Sequence, residues 1–208
     1  MISILVLLSA GLSWAADAPR LFYSKSFPGS APPYMQITVD KSGRVDYREA
    51  PQEEDPLVAQ LTAEEVEELF SLAAKLDWFG RPLESGLKVA RMGDKTFRME
   101  NSEHKGEVKF NFTMDEDGRA LQDWFERIAE SAYHRIALER TVRFDKLGVN
   151  KTLLQLEAAW DRKRIVAPAQ YLPLLDRVIK NESYLHMARD RAAALAEAFR
   201  NPVKQKAE

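Results

Sequence analysis

Three histidines, at positions 104, 134 and 186, are the first candidates for chemistry in this chain of 208 residues. His186 has Glu182 four positions before it and Asp190 four after. On one helix face these side chains would form a carboxylate–imidazole–carboxylate set able to hold a divalent cation. The same spacing is ordinary for an ion-paired helix surface, where each pair contributes about 0.2–0.5 kcal/mol. A catalytic zinc usually draws on more than one imidazole, and no H-x-x-x-H pair occurs. His134 follows Glu130 by four, and His104 sits in the charged turn Glu103-His104-Lys105. Ser-x-x-Lys occurs at Ser85–Lys88 and at Ser102–Lys105, both at breaks and without the extra Lys and Ser that such a nucleophile needs. Glu53-Glu54-Asp55 and Asp115-Glu116-Asp117 offer oxygen ligands for calcium. The second run lacks the rest of an EF-hand loop and reads instead as a helix start. Phosphate-cradling glycine loops and the G-x-S-x-G elbow are absent. So are cysteines, which removes thiol nucleophiles, thiolate metal sites and disulfides. No catalytic, metal-ligating or cofactor-binding residue is assigned on this basis, and no cofactor is expected.

Binding is a less demanding chemistry. Phe22, Tyr23, Phe27, Tyr34 and Tyr47 crowd the first strands beside Arg20 and Lys25. Aromatic faces next to cations can stack on glycans or peptides, although half-buried strands favour aromatics in any case. Further on, Arg189 and Arg191 flank Asp190 close to Tyr184 and His186, a set suited to an anion-recognising helix end. The binding candidates are therefore Tyr34, Tyr184, His186 and Arg189.

These residues need elements to hold them. Apolar side chains alternate over Leu21–Phe27 and again over Tyr34–Val39, and Lys41-Ser42-Gly43 turns the chain into Val45 and Tyr47. Period-two patterning on both arms of a Gly turn predicts a hairpin. Pro51–Pro56 reads as an acidic loop. Thr62-Ala63-Glu64-Glu65 is a capping box, and Val66, Leu69, Phe70, Ala73 and Leu76 follow at helical spacing. Gly80 and Pro82 should end that helix. Leu87, Val89 and Met92 predict a strand, followed by Thr96–Met99 and Val108–Phe112.

From Glu116 the period changes to that of helices. Leu121, Trp124, Phe125, Ile128 and Ala132 form one stripe, and the pattern runs on to Leu147 with Gly148 as the stop. Asn150 is the expected cap of the next helix, which turns Leu153, Leu156 and Trp160 inward. Pro168 and Pro173 open one or two more helices, and Asn181–Ser183 is a break. Leu185, Ala188, Ala192, Leu195 and Phe199 give a 3-4-3-4 seam. The fold class is thus α+β: an antiparallel sheet with a packed helix over 16–115, a long connecting helix over 116–147, a helical bundle over 148–200, and a flexible tail over 201–208.

Overall charge is −2, which disfavours a nucleic-acid binder. The charge is unevenly placed: residues 16–147 carry −6 and residues 148–208 carry +4. Either the basic helices dock on the acidic part of the same chain, or they face an acidic partner or anionic surface.

Met1–Leu12 is uncharged and apolar, and Ser13-Trp14-Ala15 supplies a small-x-small pattern. A signal peptide cut between Ala15 and Ala16 is the expectation. The apolar run falls short of the roughly 20 residues that span a bilayer. No later stretch approaches that length, so no transmembrane segment is expected after removal of the signal. Export, to the periplasm or the medium, suits a chain that folds without disulfides.

Pro33-Tyr34, the strand Gln36–Val39, Gly43, Val45-x-Tyr47 and the leucine-rich Glu64–Leu76 helix resemble a class of uncharacterised bacterial exported domains. The resemblance covers about half the chain, and that class carries no assigned activity. Two functions are compatible with the sequence. One is an exported, non-catalytic binding or scaffold protein for a protein or peptide of the cell envelope. The other is an envelope hydrolase whose site is assembled from scattered Glu, Asp, His and Tyr.

Overall fold

A computed structural model describes residues 19–100 and 105–201. The segment expected to be a signal peptide, with its expected cut between Ala15 and Ala16, His104, and residues 202–208 lie outside the described residues. The chain is α+β. Six strands form one sheet: β1 (Arg20–Ser26), β2 (Tyr34–Asp40), β3 (Arg44–Arg48), β4 (Leu57–Gln60), β5 (Asp94–Glu100) and β6 (Glu107–Phe110). Their order is β4-β3-β2-β1-β5-β6 and every pairing is antiparallel. The first hairpin has the predicted register, with Ile37 opposite Tyr47 and Val39 opposite Val45.

Alternation decides which face is covered. Leu21, Tyr23, Ile37, Val39, Val45, Tyr47, Phe97, Met99, Val108 and Phe110 all point to one buried face. The opposite face carries ion pairs in place of a second core: Arg44 and Arg48 on Asp46, and Arg98 on Glu100 and Glu107. Phe22 sits on that outer face yet is buried, because the Arg98 guanidinium lies 3.9 Å over its ring. Most of the first-strand aromatics therefore serve the fold rather than offering a stacking surface. Tyr23 and Tyr47 are core residues on the covered face, and Phe27 is the exposed one.

Helix α1 (Ala63–Lys75) starts where the capping box predicts. Thr62 Oγ1 accepts from the Glu65 amide at 3.3 Å, and Glu65 Oε2 accepts from the Thr62 amide at 2.8 Å. The helix ends at Leu76, before Gly80, in a turn where Asp77, Trp78 and Phe79 all have left-handed backbone, with φ of 52°, 49° and 70°.

Helix α2 (Glu116–Phe144) begins at Asp115, whose carboxylate accepts from the Gly118 amide at 2.8 Å. Its first half lies on the sheet beside α1, so two helices cover that face. The Phe125 ring packs 4.9 Å from Tyr23 and 5.8 Å from Phe97. Its second half enters a separate core, where Leu138 and Val142 meet α3 (Val149–Asp161), α4 (Leu172–Ile179) and α5 (His186–Arg200).

Several expectations need correction. Leu87, Val89 and Met92 form no strand; residues 80–93 are a loop, anchored by buried Leu83, exposed over residues 86–92 and fixed by Asn111. Asn111 receives the Met92 amide at 2.6 Å, donates to the Ala90 carbonyl at 3.1 Å, and gives its own amide to Glu84 at 2.6 Å. With both flanks of that segment committed to Asn111, no strand pairing is made. The long helix stops at Phe144 rather than Leu147, because Asp145 turns back to accept the Gly148 amide at 2.9 Å. Asn150 lies inside α3 and accepts from Arg191 of α5 instead of capping. Leu185 precedes α5, and Pro168 and Pro173 open two short helices in succession. Strand β4 was not anticipated. It follows the acidic loop directly, and its four residues are too few to show a period.

Part of the basic charge is met inside the chain. Arg164, just after α3, donates to Glu130 at 2.8 Å and Asp123 at 2.6 Å on α2, and Arg162 lies 3.7 Å from Glu130. Ser131 stitches the same junction. It accepts the buried Val166 amide at 2.9 Å, and its carbonyl accepts the Tyr171 hydroxyl at 2.6 Å.

Candidate functional site

The sequence-derived binding candidates do not converge. Tyr34 opens β2 on the outer sheet face, with its hydroxyl donating to Gln36 at 3.0 Å. Tyr184 is buried in the helical core and donates to the Val142 carbonyl at 2.9 Å. Its chemistry is spent on closing the turn before α5. His186 is the first residue of α5 and pairs with Asp190 at 2.5 Å. Glu182 lies in the turn ahead of the helix, so it does not join them on one helix face. Arg189 is half-buried, and its Nε finds no hydrogen-bond partner among the described residues. Among the described residues no group of three or more potential metal ligands occurs.

Two buried titratable groups with shifted pKa values lie elsewhere, on the sheet face under α2. Tyr23 is fully buried and its phenol is pushed far up by desolvation, with Glu126 adding to the shift. Its hydroxyl has no hydrogen-bond partner among the described residues. Lys95 is also buried, and burial together with the charge of Lys25 lowers its pKa. A buried lysine with a lowered pKa is a general-base candidate. Here, however, the Lys95 ammonium donates to the carbonyls of Asn111 at 2.7 Å, Gly93 at 3.2 Å and Met92 at 3.3 Å. All three protons are engaged in holding the 80–93 loop, which is a structural use. Lys25 reaches Glu126 at 3.7 Å, and Glu126 also accepts from Gln122 at 2.8 Å.

Next to this cluster is an open groove between the 30–35 segment and α2. Ala31, Pro32, Met35, Ala129 and Tyr133 form its apolar walls, with Lys25 and Glu130 at the polar margins. Tyr133 is 56% exposed even though it stands on the helix that seals the sheet. The strand period explains why the sequence pointed to the neighbouring residue. Tyr34 and Met35 face opposite sides of β2, and Met35 is the one turned toward α2. Tyr133 itself was legible only as one more residue of a helical stretch. Chemically, this groove can desolvate an apolar side chain and pair a flanking charge of either sign. It presents no nucleophile poised beside a base.

His134, the neighbour of Tyr133, is buried in α2, and desolvation holds its imidazole below its ordinary value. The unfolded chain therefore binds more protons than the folded one below about pH 6.5, and stability falls with pH there. The neutral-imidazole contribution is complete above the unfolded pKa and is lost as pH drops toward the folded one. His134→Gln is expected to narrow the difference in denaturation midpoint between about pH 8 and pH 5. An unchanged difference would place the acid sensitivity elsewhere.

No helix among the described residues is long and apolar enough to cross a membrane. The chain matches no protein-family model and no curated protein.

Proposed function

We propose that this chain is an exported, non-catalytic binding or scaffold protein that engages a protein or peptide of the cell envelope through the groove between the 30–35 segment and α2. The observation that carries the reading is the groove itself: an apolar cleft with an exposed tyrosine on its rim and one charge of each sign at its margins. Interfaces are anchored by such aromatic residues in partly enclosed apolar sites. Export rests on the apolar Met1–Leu12 run and the Ser13-Trp14-Ala15 pattern. The envelope-hydrolase reading has its best support in the shifted pair Tyr23 and Lys95 beside Glu126. Against it stands the engagement of Lys95 with three carbonyls.

Crosslinking capture of the tagged chain from the envelope fraction of its own cell tests the proposal. One stoichiometric protein is expected, with the exported chain beginning at Ala16 by mass spectrometry. Tyr133→Ala removes an exposed side chain and should leave the melting curve unchanged while cutting the captured yield about tenfold, the effect of a typical aromatic anchor. Equal capture by the variant would exclude the groove. An empty capture by the parent chain would count against the interaction reading as a whole.

A further inference from the structure

The two most exposed large apolar side chains among the described residues are close together in sequence. Phe144 is 75% exposed and Leu147 is 76% exposed. They stand at the turn between α2 and α3, where residues 143–147 are exposed without a break. Hydrogen bonds tie the turn at both ends. Asp145 accepts the Gly148 amide at 2.9 Å, and Lys146 donates to Ser183 at 2.9 Å across from the turn before α5. Packing beneath it is complete, with Val142, Val149 and Tyr184 all buried. Phe144 and Leu147 are thus held out by a well-built scaffold, where a polar residue would fit the local geometry equally well.

The charges around the tip have one dominant sign. Arg140, Arg143, Lys146 and Lys151 are all exposed. Glu139 and Asp145 are the acidic residues of the same stretch: Glu139 pairs with Arg143 at 3.8 Å, and Asp145 is occupied as the turn's acceptor. On the facing turn Lys180 and Glu182 balance, and Leu185 adds a partly exposed apolar side chain. Residues 143–147 stand exposed in an unbroken run. A protruding aromatic and leucine within a basic collar match an interface that is apolar inside and anionic at its surface.

We propose that the α2–α3 tip docks on an anionic lipid surface, with Phe144 and Leu147 entering the headgroup–acyl boundary and Arg140, Arg143, Lys146 and Lys151 lying against the headgroups. Charge complementarity favours this occupant over a peptide, which would need a groove, and residues 140–151 line none of the described pockets. The tip is separate from the cleft beside Tyr133, so both can be occupied at once.

The chain has no cysteine, so a single introduced thiol carries a label uniquely. Leu147→Cys in the full chain is labelled with an environment-sensitive nitrobenzoxadiazole dye and mixed with vesicles of phosphatidylcholine alone, or of phosphatidylcholine and phosphatidylglycerol in equal parts. Glu54→Cys, in the acidic loop, is the control position. Docking predicts a blue-shifted emission at 147, quenchable by nitroxide-bearing lipid, with the mixed vesicles and no change at 54. Adding Arg143→Gln and Lys146→Gln should weaken partitioning about thirtyfold, since each basic residue near such a surface contributes about 1 kcal/mol. The proposal is overturned by an unchanged spectrum at 147 with mixed vesicles. It is overturned equally by a shift that needs only a higher protein concentration, which would mean that a second copy covers the tip. A shift of equal size with the uncharged vesicles, insensitive to the two glutamines, would show that the basic collar plays no part and would also reject it. None of these outcomes depends on the groove or its protein partner.

Discussion

Gly106→Ala is expected to destabilise the fold by about 3 kcal/mol or more, the upper range of overpacking. A Cβ at this position would lie 1.9 Å from the Trp78 carbonyl oxygen and 2.9 Å from its carbon. Both are backbone atoms, so no rotamer change can relieve the clash. The segment that would have to move is already under tension: Asp77, Trp78 and Phe79 are left-handed without being glycine. Each such residue costs on the order of 1–2 kcal/mol. Burial of Phe79, stacked 5.4 Å from Phe97, holds the turn in place. The alanine would press on that turn from the β6 side and loosen Phe79 from the sheet core. Gly118→Ala is the contrast. The nearest atoms to its added Cβ lie at 3.4 Å, and the position is helical. Alanine there should be neutral or stabilising by up to about 1 kcal/mol. Urea denaturation of both variants checks the pair. Equal midpoints for Gly106→Ala and the parent chain would show that the close approach to Trp78 is not maintained in solution.

Truncating Phe125 should cost about 3–5 kcal/mol, the usual range for removing a buried aromatic ring. The ring is completely buried between Tyr23 and Phe97, where the sheet meets α2. The more informative expectation concerns where the loss is felt. Helix α2 is continuous from Glu116 to Phe144, with Ile128 and Ala132 in the sheet core and Leu138 and Val142 in the helical core. Val166 and Ala167 return from the helical part into the sheet core, and Arg164 clamps Glu130 and Asp123. The two cores therefore share a helix, an inserted segment and an ion-pair clamp. Phe125→Ala should lower hydrogen-exchange protection by the same free energy in both halves of α2. If residues 138–142 kept their protection while residues 121–128 lost theirs, the chain would be two independently folding units joined by a helix.

What could be read in advance follows from the range of the forces involved. The hairpin of β2 and β3, the capped start of α1, the stripe from Leu121 to Ala132 and the seam from Ala188 to Phe199 are local patterns. Their signals lie within a few residues of one another: strand alternation, a Thr62–Glu65 reciprocal bond, helical spacing. The 80–93 loop escaped this reading because a short apolar run reads as a strand even with no partner to pair it. Leu87 and Val89 alternate like a strand, but Asn111 and Lys95 hold the flanking backbone with side-chain bonds. Tyr184 was chosen for its neighbours in sequence, yet its hydroxyl is bound to a carbonyl 42 positions earlier. Met35 and Tyr133 were passed over because each looks ordinary until β2 and α2 are placed side by side.

The sequence by itself determined the α+β class, the change of period near residue 116, the absence of cysteine chemistry, and the unequal charge of the two parts. These are properties of composition and of contacts between near neighbours. Only the tertiary structure decided that α2 belongs to both cores, that the basic segment after α3 spends Arg162 and Arg164 on Glu130 and Asp123, and which side chains remain outside. A groove beside Tyr133 and a tip at Phe144 and Leu147 exist because distant elements leave those places uncovered. Exposure depends on the packing of the whole chain, which no local pattern encodes.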